Sequence, residues 1–530
     1  MFSRRSFLGS MAGTCATSLL PMPAQAQRSE RKDHYAVGEK AGVTATSVQA
    51  CDAALWALEQ GGNAADAYIT AAITQTVSEP GLTSLGGAFG INYFAANKKQ
   101  TSTTVGLLGP ASAEPYDYDR TSPVTQTGRA MPVPGFVAGL YEAHRQYGQL
   151  TWEKLFQPAI RYATEGFLVI PDIIEAAKRK AVKDPESKLV WQHRGEFLTP
   201  AQPLIQTRLG KLLTQIAKDG PEAFYTGEFA KNYVKRATAD GGKMTLNDMK
   251  TWKDRIRTPK LDLRGNYRGY QIASAPLIIY AMHLNEALNL RKSGSARDNS
   301  DSLYRQLRIM EEVFLSSKKL NQETEADFLD PLFASKRADF VLNSPHRDFT
   351  LDALFNTCFL VVRDNKGNCA WGTHSINSPS AFGAGIMVDG VYASYAINRD
   401  HVHGTGATAA GITTNFALFK NGVPRLIAGS PGYGFVHGPY QYGTALIEWE
   451  LSPAEAMNQP RFSMPNSKGE IIFEQHYSAK VLEMLKTRKF AHQVTRPSSS
   501  TGIVGAYFAD DQQKLHFVQD GRRSGFARAD

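Results

Sequence analysis

Cysteine is scarce in this 530-residue chain: the four residues Cys15, Cys51, Cys358 and Cys369 are too few for a fold held by disulfides. Long apolar runs are missing as well, since no segment supplies the roughly twenty uninterrupted apolar residues that a membrane helix needs. Lys and Arg never gather into a long block, so the formal charge of +9 describes a mildly basic surface and not a nucleic-acid groove. The 26 Pro and 45 Gly have neither the density nor the period of collagenous or low-complexity chains. What is present, 42% hydrophobic and 21% charged residues, is a globular composition with enough chain to bury a sizeable core. Length alone leaves one large α/β body or several ordinary domains open.

The first residues stand apart. Ser3-Arg4-Arg5-Ser6-Phe7-Leu8, a short apolar run, Pro21, Pro23 and Ala24-Gln25-Ala26 have the layout of a twin-arginine export signal, 1–26, cut after Ala26. The mature chain is therefore expected to be soluble and periplasmic, with no membrane span. Arg4 and Arg5 leave with the signal and no acid does, which takes the charge of +9 down by two. Cys51, Cys358 and Cys369 remain, an odd number that permits at most one disulfide.

Apolar spacing predicts helices over 48–59 and 64–77, the first ended by Gly61-Gly62 and the second by Glu79-Pro80. A glycine-bearing turn over 81–90 leads into a strand at 91–94. From about 136 to 290 the pattern is mostly helical, with amphipathic runs at 136–147, 152–165 and 209–219 and a short strand at 267–273. The polar stretches 291–301 and 321–327 read as exposed loops. From Thr357 the texture becomes strand, turn, strand: 358–362 and 369–376 around Asn365-Lys366-Gly367-Asn368, then 415–419 and 425–428 around Lys420-Asn421-Gly422. A helix-rich front thus precedes a β-rich last third.

Gly404-Thr405-Gly406-Ala407-Thr408-Ala409 fits a relaxed dinucleotide fingerprint, but polar residues 398–403 precede it where a buried strand is required. No cofactor is expected. His401 and His403 have no companion ligands at metal-binding spacing, so no metal is expected either. Ser430 lacks the Gly two residues earlier that a nucleophile elbow uses. The loop around Gly432 is open to two readings, a plain turn or a set of backbone amides presented to an anion.

Phe355-Asn356-Thr357-Cys358-Phe359-Leu360-Val361-Val362 places a hydroxyl at the entrance of a buried strand. An N-terminal nucleophile (Ntn) hydrolase uses such a residue. Its hydroxyl attacks the preceding carbonyl, the chain breaks, and the freed α-amine, with an ordinary pKa of about 7.7–8.0, becomes the base for its own side chain. Taken alone, Thr357 is equally an ordinary strand residue.

Its company extends the reading. Val43-Thr44-Ala45-Thr46, Gly61-Gly62-Asn63-Ala64-Ala65-Asp66-Ala67, Ser84-Leu85-Gly86-Gly87, Pro132-Val133-Pro134-Gly135-Phe136-Val137-Ala138-Gly139, Ala223-Phe224-Tyr225-Thr226-Gly227, Tyr267-Arg268-Gly269-Tyr270, Gly429-Ser430-Pro431-Gly432 and Gln459-Pro460-Arg461-Phe462 occur in that order. With them the chain resembles γ-glutamyltransferase (γ-glutamyltranspeptidase) precursors over nearly its full mature length. The resemblance implies a four-layer αββα Ntn-hydrolase sandwich. It also implies self-cleavage between Asn356 and Thr357, giving large and small subunits, 27–356 and 357–530, that stay together as one globular unit.

By the same resemblance Thr357 is the nucleophile, Ser375 the hydroxyl that hydrogen-bonds it, and Gly432 and Tyr433 the oxyanion-hole amides. Asn377, Asn398 and His401 fall on substrate-binding positions, and the substrate is a small amide of the γ-glutamyl kind, with no cofactor or nucleic acid involved. Several positions depart from the family pattern, among them Ala409-Ala410-Gly411 in place of paired serines and Tyr433 in place of a glycine. Leu107-Leu108-Gly109-Pro110 carries no arginine where the family clamps the substrate carboxylate, His401 stands in the family's acidic stretch, and Cys358 replaces a second threonine. Three functions remain open: an amide hydrolase or acyltransferase with an altered acyl pocket, a standard glutathione hydrolase or γ-glutamyl transpeptidase, and an inactive homologue acting as a binding protein.

Overall fold

The computed structural model describes residues 34–530 except 120–121, 260, 262, 318–321, 348–356, 377–380, 397–415, 431–435, 499–501, 503 and 523–524. Two seven-stranded antiparallel sheets form its centre. One runs in the order Phe526–Ala529, Gly42–Ala45, Cys358–Arg363, Cys369–Ser375, Ala88–Ala95, Gln100–Gly106, Ile256–Arg257. The other runs Tyr35–Gly38, Leu515–Gln519, Gly505–Ala509, Val423–Gly429, Phe416–Lys420, Tyr270–Ala273, Gly265–Tyr267.

Period-two alternation decides what each strand buries. In Cys358–Arg363 the odd residues Phe359 and Val361 meet Trp371, Ile427, Tyr507 and Phe517 between the sheets. The even residues Leu360 and Val362 face a helical layer. A strand buried on both faces needs apolar residues at both parities, which is why 358–362 reads as one continuous apolar run.

Each sheet carries helices on its outer face. Val48–Glu59 and Ala64–Ser78 cover the first sheet, and every residue of Ala64–Ser78 is buried. A helix so enclosed can approach its neighbours because alanine lines it, and Asn63 starts it through a capping box with Asp66. Pro276–Ala287, Ser300–Ser317, Pro331–Asn343 and His437–Ile447 pack with Ile272, Phe416, Leu418 and Leu426 of the second sheet. The layers are therefore helix, sheet, sheet, helix, the αββα order that the resemblance implies.

Several expectations needed correction. The strand at 267–273 is a hairpin of Gly265–Tyr267 and Tyr270–Ala273, because Arg268 (φ 49°) and Gly269 (φ 81°) both take the positive φ of a two-residue turn. Residues 321–327 are not a loop: Gln322–Leu329 is a helix, held by Phe328 stacking on Tyr280 at 4.9 Å. The polar stretch 291–301 is only partly exposed. It includes the end of a short helix, Leu290–Ser293, and buries Ala296.

The run at 152–165 divides into a 3-10 turn, Glu153–Phe156, and a helix, Gln157–Glu165, with Pro158 in the first turn where a missing N–H costs nothing. The front also supplies strands to both sheets, Tyr35–Gly38 to one and Gly42–Ala45, Ala88–Ala95 and Gln100–Gly106 to the other. The front is nonetheless helix-rich and the last third β-rich, as the pattern predicts. Cys51, Cys358 and Cys369 are all buried, and none of the three is in a disulfide.

Candidate active site

Thr357 opens the strand Cys358–Arg363, third in its sheet. Cys358 pairs with His374 across the neighbouring strand, so one step back brings Thr357 level with Ser375. The Thr357 hydroxyl donates to Ser375 Oγ at 3.2 Å. Both side chains share the parity of Phe359, Val361, Cys369 and Trp371 and so lie on the face turned toward the second sheet. Thr357 is half-buried, whereas Ser375 is buried. A hydroxyl at the start of a strand, steadied by a second hydroxyl, can reach a carbonyl at the sheet edge.

The second sheet closes over this edge. Gly505 lies so close to Phe359 that a Cβ there would sit 2.8 Å from the ring, and Gly505 pairs with Gly429. The strand Val423–Gly429 thus ends opposite the start of the Thr357 strand, and the buried Ser430 follows it. Thr44, beside Val361 in the first sheet, donates to Gln519 Oε1 of the second at 2.5 Å. That bond ties the sheets behind the candidate nucleophile.

Two supports carried no chemical signal in the sequence. Gly87 abuts Ser375, where a Cβ would stand 2.0 Å from the Ser375 carbonyl oxygen. The Ser84-Leu85-Gly86-Gly87 turn therefore needs glycine for backbone to approach backbone. Glu79 is 1% exposed and accepts from Thr46 Oγ1 and Gln75 Nε2, both at 2.7 Å. Thr46 directly follows the strand that flanks the Thr357 strand, so this buried carboxylate sits just behind the site. Glu79-Pro80 reads in sequence only as a helix stop, and nothing local marks the acid as buried.

Cys358 and His374 lie on the opposite face of the same two strands. Cys358 is wholly buried and shares the parity of Leu360 and Val362, so its sulfur is turned away from the side that Thr357 and Ser375 share. His374 packs against Tyr68, Phe89 and Phe136, and neither ring nitrogen has a hydrogen-bond partner among the described residues. Burial without a partner drives its pKa down to about 3. His374 is a neutral core side chain and not a base for Thr357.

The remaining sequence candidates, Asn356, Asn377, Asn398, His401, Gly432 and Tyr433, lie outside the described residues. So do His403 and the Gly404–Ala409 motif. Among the described residues no cluster of His, Cys, Asp or Glu has the makings of a metal site, and no helix is long and apolar enough to cross a membrane. A cavity of about 320 Å³ is lined by Lys180, Lys183, Asp184, Arg236, Gly383 and Tyr395, among others. Gly383 lies against Ile376, the residue after Ser375: a Cβ on it would be 2.9 Å from Ile376 Cδ1.

Residues 50–395 match the family model described as Gamma-glutamyltranspeptidase. The chain belongs to the gamma-glutamyltranspeptidase family. It is 26% identical to the glutathione hydrolase proenzyme of Escherichia coli over 95% of this chain and 96% of that one. With the Acylase ACY 1 proenzyme of Pseudomonas sp. strain V22 it shares 25% identity over 93% of each. The crystal structure of a cephalosporin acylase from Bacillus halodurans has the same fold, with a TM-score of 0.76 at 21% identity over 97% of this chain and 99% of that one. This family member is accordingly an enzyme, an Ntn-type hydrolase or acyltransferase whose relatives are made as proenzymes.

Proposed function

We propose that this family member is an exported amidohydrolase that cuts itself between Asn356 and Thr357 and then uses Thr357 to attack an acyl-amide other than an ordinary γ-glutamyl group. The contact between the Thr357 hydroxyl and Ser375 Oγ carries the reading. It aligns a nucleophile at a strand start, where cleavage of the preceding bond frees an α-amine on the same residue. That amine takes the hydroxyl proton as Thr357 Oγ1 bonds to the substrate carbonyl carbon. The proton then passes to the leaving amine as the amide C–N bond breaks, and water or a second amine releases the acyl group.

The oxyanion that forms in each step falls to the backbone amides of Gly432 and Tyr433, with Asn377, Asn398 and His401 as substrate contacts. The large and small subunits, 27–356 and 357–530, then stay associated. Both sheets draw strands from each side of the cut, so separating the pieces would break five ladders and expose the core between the sheets.

An altered acyl pocket is supported by the lack of arginine in Leu107-Leu108-Gly109-Pro110. Losing a charge-assisted bidentate contact costs about 1.5–3 kcal/mol, roughly ten- to a hundredfold in recognition. Release of the signal after Ala26 places the enzyme in the periplasm.

Denaturing electrophoresis with intact-mass measurement is the direct test. Two fragments that meet at Asn356/Thr357, replaced by one chain in Thr357→Ala, are expected. A single folded chain in the wild type refutes self-cleavage. Hydrolysis of a γ-glutamyl anilide then separates pockets: turnover equal to that of an ordinary glutathione hydrolase refutes the altered one.

A further inference from the structure

The end of the sandwich opposite Thr357 holds a second pocket. Three hairpins turn there, joining Cys358–Arg363 to Cys369–Ser375, Phe416–Lys420 to Val423–Gly429, and Gly505–Ala509 to Leu515–Gln519. Between them lies a cavity of about 110 Å³ walled by Phe94, Val423, Pro424, Tyr507 and Leu515. It is far from the nucleophile: six strand residues at about 3.3 Å each separate Thr357 from Arg363.

Two guanidinium groups and Gln513 give this space a polar side, Arg363 and Arg425 being the charged groups. Both act electrostatically on the Tyr507 phenol, so both are close to the same wall. Arg363 is half-buried and donates to the Lys40 carbonyl at 2.6 Å, a neutral acceptor that brings no counter-charge. Arg425 Nη2 reaches Asp511 at 2.9 Å, but Asp511 is 89% exposed against 13% for Arg425, and a solvated carboxylate offsets little of a largely buried cation. Arg425 Nε is buried and has no hydrogen-bond partner among the described residues.

The other nearby acids are committed elsewhere. Asp364 accepts from Ala64, Lys366 and Asn368, and Asp510 from Gln512, Lys514 and His516. A buried N–H without an acceptor costs about 1–3 kcal/mol, and two cations lining one cavity repel each other unless an anion lies between them. One ligand relieves both.

We propose that this pocket binds a short-chain monocarboxylate, its carboxylate between Arg363 and Arg425 and its hydrocarbon against Phe94, Val423 and Leu515. The size follows from the space, since 110 Å³ is worth three to four waters at about 30 Å³ each, the bulk of a chain of roughly four carbons. A lining part polar and part apolar suits an amphipathic anion better than an inorganic one. Because strands of both sheets line the pocket, an occupant pins the two together at the end remote from the chemistry.

Sodium butyrate, butanamide and sodium phosphate at matched ionic strength serve as probes, with thermal unfolding as the readout. The protein is used as it is purified and, in parallel, as Thr357→Ala, so the outcome does not depend on catalysis or self-cleavage. Butyrate at about ten times its dissociation constant should multiply the folding equilibrium constant about elevenfold and raise Tm accordingly. Butanamide and phosphate should not. The shift should vanish in Arg425→Met and also in Val423→Trp, which keeps both arginines but fills the pocket. No shift with butyrate, an equal shift with butanamide or phosphate, or a shift that survives both substitutions overturns the proposal.

Discussion

His374 is one residue through which acid should destabilise this fold. Its ring is enclosed by Tyr68, Phe89 and Phe136, and burial holds its pKa near 3 where an unfolded histidine has 6.5. The folded-state value is depressed and the neutral form is the one that fits. No stability is lost above pH 6.5. Below it the unfolded chain takes up a proton that the folded chain refuses, so stability falls by about 1.4 kcal/mol per pH unit. The loss accumulates down to about pH 3, where the folded ring also protonates.

Between pH 6.5 and 4.5 this single site should therefore remove on the order of 2–3 kcal/mol. Carboxylates titrate in the same range, so the informative quantity is a difference between proteins. His374→Phe puts an apolar ring among aromatic neighbours and removes a buried N–H that has no acceptor among the described residues. At pH 7.5 the variant should match or exceed the wild type in urea denaturation. At pH 4.5 it should be ahead by most of those 2–3 kcal/mol. Parallel stability curves for the two proteins across that range would refute the assignment of His374 as a buried neutral side chain.

Other consequences are equally concrete. Ser375→Ala leaves Thr357 Oγ1 without the hydrogen bond it donates at 3.2 Å and should slow self-cleavage about tenfold, the worth of roughly 1.4 kcal/mol. Ser375→Thr should restore it, and a Ser375→Ala protein that matures at the wild-type rate excludes the contact from the chemistry. Gly87→Ala drives a Cβ to within 2.0 Å of the Ser375 carbonyl oxygen. Backbone lies on both sides, so a loss of about 3 kcal/mol is expected in a chemical melt, and an unchanged midpoint contradicts the close approach.

Arg461→Met should cost on the order of 3 kcal/mol. It strips a buried guanidinium from Asp520 and from the Gly502 carbonyl and leaves the wholly buried Asp520 carboxylate with Arg522 alone as a cationic partner. A melting temperature within a degree of the wild type would show that the pair is dispensable.

The local features came through the sequence because local physics decides them. The helix Val48–Glu59 ends where Gly61-Gly62 stops it, and the helix Phe136–Tyr147 has the predicted limits. The hairpin at Asn421-Gly422 follows from two residues that accept positive φ, at 55° and 75°. Thr357 was legible as a candidate nucleophile only through its company, since a hydroxyl before an apolar run is by itself an ordinary strand residue, and the neighbouring stretches in order pointed to one family.

Tertiary structure decided the rest. The strands Gly505–Ala509 and Leu515–Gln519 are modest in pattern and exist because Val423–Gly429 offers them an edge. Gln322–Leu329 looks like a loop until Phe328 finds Tyr280. Which face a side chain takes depends on strand register, and register is a relation between segments far apart in the chain. That relation puts Thr357 beside Ser375 and turns Cys358 away, buries His374 and Glu79, and brings Arg363 and Arg425 to one cavity. Composition showed a chain poor in cysteine with no membrane helix, and spacing showed where its elements lie. Only the closure of two sheets on each other determined which of its polar groups meet, because desolvation and pairing are settled by neighbours in space.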